Sequence, residues 1–192
     1  MRLDPAPSGM PDCWAAARFD GALRLAVTAY KDEGRRDLRP ALGRLLAAAL
    51  ATAVTADPVL RQRVSAGEPV LVVPLPTSRA SRRRRGDDPV GDLARFATAS
   101  DPGGGLVASP ALAHTRRVAD QAHLDRAQRA SNLAGAVEVA GRWHPVVRGS
   151  ACVVVDDVVT TGATLAEAAR ALRRAGAGHV VAATVAATPR RL

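Results

Sequence analysis

The chain has little of what several protein classes require. It holds two cysteines, Cys13 and Cys152, in 192 residues. That is too few for a disulfide framework or a structural zinc site, and Cys152, inside an apolar run, reads as a small core residue. Aromatic residues make up 3% of the chain, which argues against the stacking platforms of single-strand nucleic-acid binders. No apolar run comes near the roughly 20 residues of a membrane span, since even 42–56 is interrupted by Arg44 and threonines. The start, MRLDPAPSGMPD, has prolines and acids where a secretory signal needs an apolar core, so a loose terminus in a cytoplasmic protein is expected. No internal repeat or long low-complexity segment appears. His114, His123, His144 and His179 share no ligand spacing and read as surface or loop residues.

What the chain has in excess is positive charge, net +9, with arginine supplying nearly all of it and Lys31 the single lysine. Such a balance suits polyanionic ligands, a phosphorylated sugar or nucleic acid, and charge alone does not choose between them. The abundance of Ala and Arg makes much of the excess a solvated surface. The length suits one domain with a sizeable core.

The most informative stretch is ACVVVDDVVTTGATL, residues 151–165. Ala151 to Val155 are apolar and rich in β-branched side chains, which predicts a strand buried on both faces. Asp156 and Asp157 follow, then a hydroxyl-rich turn with one glycine, then a helix with Leu165, Ala168, Ala169 and Leu172 on one face. A strand, a polar turn and a helix in that order put the turn where open α/β sheets bind ligands. Unpaired N–H groups at the helix start, aided by the helix dipole, accept a phosphate. Thr160, Thr161 and Thr164 add hydroxyl donors, and the two acids suit sugar hydroxyls or a magnesium ion. Together they describe a site for a ribose 5-phosphate.

Elsewhere the pattern predicts a helix after Asp20 with Leu23, Ala26, Val27 and Tyr30 on one face, ended by Gly34. A second helix, 37–56, carries Leu42, Leu45, Leu46, Ala49, Leu50 and Ala53 as its buried stripe. A strand spans 69–76, a helix 92–99, a turn 101–105, a short strand 106–108, a connecting loop 141–149 and a final strand 179–187, with Gly176 capping the helix before it. Arg170, Arg173 and Arg174 late in that helix and Glu167 early match its dipole.

VVVDDVVTTGATL resembles the phosphoribosyl-pyrophosphate (PRPP) signature of type I phosphoribosyltransferases, and its wording is most similar to the ComF family. Further similarity lies in Tyr30 to Leu38, which resembles a YKxxGRRxL segment, and in Gln121, Leu124, Arg126, Arg129, Asn132, Leu133, Gly135 and Ala136. The resemblance covers roughly residues 20 to 188. It implies an α/β fold, a parallel sheet flanked by helices, with 1–19 a flexible amino-terminal segment and 20–192 the phosphoribosyltransferase-like domain.

What the resemblance implies for the site is specific. Asp156 and Asp157 would be the catalytic acids, holding the ribose 2- and 3-hydroxyls and, directly or indirectly, Mg2+. Val159, Thr160, Thr161, Gly162, Ala163 and Thr164 would hold the 5-phosphate. Pro74 leads into Leu75, Pro76, Thr77, Ser78 and Arg79, the implied pyrophosphate loop, and backbone N–H groups with an arginine at a strand end do suit a diphosphate. Arg116, Arg117 and Gln121 would belong to a loop closing over PRPP. The implied activity is transfer of ribose 5-phosphate from PRPP to a nitrogenous acceptor. The alternatives are a non-catalytic PRPP or nucleotide sensor and an accessory protein of DNA uptake, with single-stranded DNA, competence proteins or a second copy of the chain as partners.

The chain also departs from that family. An RGFNQ-like element is replaced by Arg85-Gly86-Asp87-Asp88-Pro89-Val90, where the acids would offset the arginine run 82–85. Cys13 has no partner for the amino-terminal zinc ribbon such proteins commonly carry, so the phosphoribosyltransferase-like domain alone is expected.

Overall fold

A strand shows alternate residues to opposite faces, so one that is apolar at every position needs cover on both sides. Three runs meet that description, 70–74, 151–155 and 180–183, and they form the centre of the molecule. The computed structural model describes residues 8–77, 88–115 and 135–188. In it β1 (Cys13–Arg18), β2 (Val70–Pro74), β3 (Leu106–Ala108), β6 (Ala151–Val159) and β7 (His179–Ala187) form a five-stranded sheet in the order β1-β7-β6-β2-β3. Every neighbouring pair is parallel. A separate antiparallel ribbon joins β4 (Leu112–His114) to β5 (Val137–Val139).

On one face Val70, Val72, Val153, Val155, Val181 and Ala183 pack with helices α1 (Gly21–Asp32), α2 (Arg39–Ala56), α3 (Pro58–Ser65) and α4 (Pro89–Ala99). On the other, Leu71, Val73, Cys152, Val154, Val180 and Ala182 pack with the ribbon, α5 (His144–Val147) and α6 (Ala163–Arg174). Odd and even positions of the same strands thus feed two separate cores, which explains their unbroken apolar runs.

Helix α2 is the main brace of the first face. Its stripe Leu42, Leu46, Ala49, Leu50 and Ala53 is buried, with Leu46 and Leu50 fully so, and burial of each such leucine is worth roughly 1.5–3 kcal/mol. The segment Arg36–Ala56 has the length and mean hydropathy, 1.2, of a membrane span, which corrects the expectation that no run approaches one. Its apolar stripe is spent on the sheet and on α4, as in a core helix. Gly43 permits the close crossing with α4, since a Cβ there would overlap the Phe96 ring.

Several expectations are corrected. Residues 13–18 are not a loose terminus: they pair with β7 from Cys13 to Arg18 and form the sheet's edge. The helix expected at 37 starts at Arg39, after a single 3-10 turn, Arg36–Leu38. The strand expected over 69–76 is trimmed to Val70–Pro74, and the helix expected from 92 begins at Pro89 because Asp88 caps it. Helix α3 and the β4–β5 ribbon were not expected, and the 141–149 connection holds a 3-10 turn and α5. Apart from the eight-residue α3, these elements span three or four residues, over which a period cannot show itself. The final strand, β7, has the bounds its sequence predicts.

Candidate functional site

The site lies where β2 and β6 end. Pairing between them stops at Pro74 and Val155, and Leu75 N–H then donates to the Val155 carbonyl at 3.0 Å. Strand β6 runs on alone beside β7 as far as Val159, so the acids expected to follow the strand are part of it. Asp156 pairs in register with the buried Thr184 of β7. The two acids lie close enough for their side chains to interact directly.

The acids are held by short contacts. Asp156 Oδ1 accepts from Asp157 N–H at 2.8 Å, and Asp157 Oδ1 accepts from Val158 N–H at 2.9 Å. Asp157 is 4% exposed, and its other partner is Lys31, in the last turn of α1. The ammonium Nζ lies 2.9 Å from Oδ2 and 3.2 Å from Oδ1. Burial alone would lower the Lys31 pKa, but the charges of Asp157 and Asp156 outweigh it and hold the ammonium above its ordinary value. Burial, then the Asp157 charge, push Asp156 well above the usual carboxylate range, with Lys31 opposing in part.

After Val159 the chain bends at Thr160, Thr161 and Gly162. Thr160, Thr161 and Thr164 are exposed, so the bend is open rather than sealed in the core. Gly162 takes φ of 78°, a conformation that costs other residues energy, and it starts α6 with no side-chain cap. The first helical N–H groups are left to the solvent side, as an anion requires. One of them, Ala163 N–H, makes only a long 3.4 Å contact with Thr161 Oγ1.

Two further groups converge on the β2 end. Thr77 Oγ1 donates to Asp88 Oδ1 at 2.8 Å, and that same oxygen accepts from Gly91 N–H at 3.3 Å as the α4 cap. Asp88 was expected only to offset the arginine run; it also joins the loop to a helix. His114, read from sequence as a surface or loop residue, lies with Nε2 3.0 Å from the Pro76 carbonyl and ties the ribbon to the same loop. His144 reaches the Val139 carbonyl at 3.2 Å and His179 reaches Asp57 at 3.0 Å, so these too have internal contacts. A cleft of about 760 Å³ opens beside Leu75 and Pro76, bordered by Asp92, Arg95 and Arg142.

Asp156, Asp157, Val159 to Thr164, Leu75, Pro76 and Thr77 are therefore brought to one edge of the sheet. Ser78, Arg79, Arg116, Arg117 and Gln121 lie outside the described residues. Sequence reasoning missed Lys31 as a partner of the acids. Its one signal was the YKxxGRRxL resemblance, where the alternative was a polar connection between helices. The segment is in fact anchored: Tyr30 is buried, its hydroxyl donates to the Pro89 carbonyl at 3.2 Å, and Arg36 stacks 4.7 Å over its ring.

Magnesium fits this donor set poorly as a resident ion. Both oxygens of Asp157 face Lys31, and one oxygen of Asp156 is taken up by the Asp157 N–H. Among the described residues, no group of three or more His, Cys, Asp or Glu converges as a metal cage.

A parallel sheet whose central strand delivers acids and an open helix start to its carboxyl edge is an α/β ligand-binding domain of the phosphate-cradling kind. Comparison with known families narrows the class: the model of the phosphoribosyl transferase domain matches residues 98–192, the half that carries β6, the acid pair and the bend. This part of the chain is thus similar to a phosphoribosyl transferase domain. Among curated proteins it is similar to the ribose-phosphate pyrophosphokinase of Shewanella oneidensis, 37% identical over 79 residues, or 41% of this chain and 24% of that protein. Those of Nitrosomonas europaea and Bordetella pertussis are 29% and 28% identical over 170 residues, 88% of this chain and 52% and 53% of theirs. The chain spans about half the length, or less, of these relatives. The matches support the type I phosphoribosyltransferase likeness, not the ComF family in particular.

Proposed function

We propose that this chain binds PRPP and transfers its ribose 5-phosphate to a nitrogenous acceptor, releasing diphosphate, as a cytoplasmic enzyme. The observation that carries the reading is the continuity of Asp156 and Asp157 with the exposed Thr160–Thr164 bend at the start of α6. The bend matches a 5-phosphate and the acids match the sugar hydroxyls that lie one ribose width away. The relatives' name, ribose-phosphate pyrophosphokinase, supports a ribose-phosphate site rather than either direction of diphosphate chemistry.

In the reaction the bond between C1 and the diphosphate breaks, the electron pair leaves with the diphosphate, and the acceptor nitrogen bonds C1 and loses a proton. The sugar passes through a cationic state, so catalysis rests on stabilising the departing group and holding the ribose. The Thr77 N–H of the loop fixed by Asp88 and His114 would serve the diphosphate, since Leu75 N–H is already bonded to the Val155 carbonyl and Pro76 has none. The neighbouring cleft has room for an acceptor, and among the described residues no side chain there identifies itself as the general base. Magnesium would be required as the partner of the diphosphate.

The test is isothermal titration with PRPP and magnesium, followed by diphosphate release with a panel of nitrogenous bases. Release with one base supports the transferase. Binding without release favours a sensor that kept the pocket. Salt-sensitive DNA binding without PRPP affinity would favour the DNA-uptake role, which neither the site nor the relatives named above support.

A further inference from the structure

The acid pair already has a cation, and it is part of the chain. Lys31 is the only lysine among 192 residues of an arginine-rich sequence, and it sits on the buried one of the two acids. We propose that Lys31 is the resident counter-ion of Asp156 and Asp157, so that the protein binds no free magnesium there and admits the metal only on the diphosphate of its sugar substrate. The proposal deepens the PRPP reading and rests on it for the identity of that substrate.

Adjacent carboxylates in a largely buried strand repel each other, and the repulsion must be met by protonation, by a metal or by a protein cation. Lys31 meets it by spanning both oxygens of Asp157. A divalent ion approaching the same carboxylate would have to displace the ammonium or sit beside it, and either is unfavourable at these distances. The ammonium is also fixed in place. Tyr30, its neighbour on α1, is locked by its hydrogen bond to Pro89, and Arg36 closes on Tyr30 through both its ring and its carbonyl, the latter at 2.6 Å. The side chain is 43% exposed, so it reaches the rim of the site while holding an acid that is 5% exposed. From that rim it is positioned to lend positive charge to a phosphorylated sugar whose hydroxyls meet the acids.

The experiment is a titration with magnesium chloride alone. Wild-type protein should give no saturable heat into the low-millimolar range. Lys31→Met should acquire a magnesium site, with affinity raised roughly tenfold or more by loss of the repelling charge, and adding Asp157→Asn to that variant should remove it. Lys31→Arg, which keeps the charge, should stay silent. Should Lys31→Met fail to fold, the ε-methylene resonance of selectively labelled Lys31 in wild type gives the answer: magnesium chloride should leave it in place. A saturable shift of that resonance, magnesium binding by wild type as tight as by Lys31→Met, or a folded Lys31→Met without a metal site would each overturn the proposal. Because PRPP is absent throughout, failure of PRPP binding with the metal pattern intact would sink the proposed function and leave the lysine assignment standing.

Discussion

Thr77 and Asp88, eleven residues apart, are joined by a 2.8 Å hydrogen bond that fixes the turn after β2 to the start of α4. Asp88→Ala removes both that acceptor and the helix cap, and should lower stability by about 0.5–2 kcal/mol in urea unfolding. Thr77→Val keeps the cap, so its stability should stay within about 0.5 kcal/mol of wild type, while its affinity for PRPP with magnesium falls. Unchanged affinity in both variants would remove this turn from the diphosphate site.

Asp156 illustrates a conflict between stability and ligand binding. Its folded-state pKa is raised, first by burial and then by Asp157. The ionised form is therefore disfavoured by folding, at a cost absent below the unfolded-state value and growing as pH rises toward the folded one. Asp156→Asn should unfold at a higher temperature than wild type near pH 8, with the gap closing toward about pH 4. The same variant should lose PRPP affinity. A variant less stable at every pH that still binds PRPP would mark Asp156 as a structural residue.

At the opposite edge of the sheet Asp57 caps α3, accepting from Val59 and Leu60 N–H at 3.0 Å each and facing His179 at 3.0 Å. Burial raises its pKa, but the Leu60 N–H, His179 and the Val59 N–H outweigh it and the net shift is downward. A depressed acid contributes stability that is complete above its unfolded value, about pH 4, and is lost as pH falls through the folded one. Thermal unfolding should show wild type losing more stability on acidification than Asp57→Asn. Equal losses would mean that the carboxylate charge does not support the fold.

The thiols should be inert. Burial pushes Cys152 up to about 12, only slightly opposed by Arg63, and pushes Cys13 up to about 11, with a hydrogen bond from Thr184 opposing. Both are protonated at neutral pH, and the thiolate is the reactive form. Labelling by Ellman's reagent should follow unfolding by denaturant. Stoichiometric labelling of native Cys152 within minutes would show that β6 opens readily.

The central sheet and the phosphate bend were legible because each writes itself locally. Val70–Val73 and Ala151–Val155 are apolar at consecutive positions, and Asp156 through Thr164 keeps the order acid, hydroxyl, glycine, helix. The edge strand was not: CWAAAR is short, half-buried and preceded by prolines, and only pairing with β7 makes it a strand. Nor could spacing bring Lys31 to Asp157, 126 residues away, because that contact depends on how α1 lies across the sheet. His114 escaped for a similar reason, since its partner is a backbone carbonyl 38 residues distant.

The most direct measurement is calorimetric titration of PRPP with magnesium into wild type and into the double variant Asp156→Asn/Asp157→Asn. Saturable binding by the wild type and none by a double variant that still unfolds cooperatively is the expected result. Equal affinity in the two proteins would contradict the assignment of this sheet edge as a ribose-phosphate site.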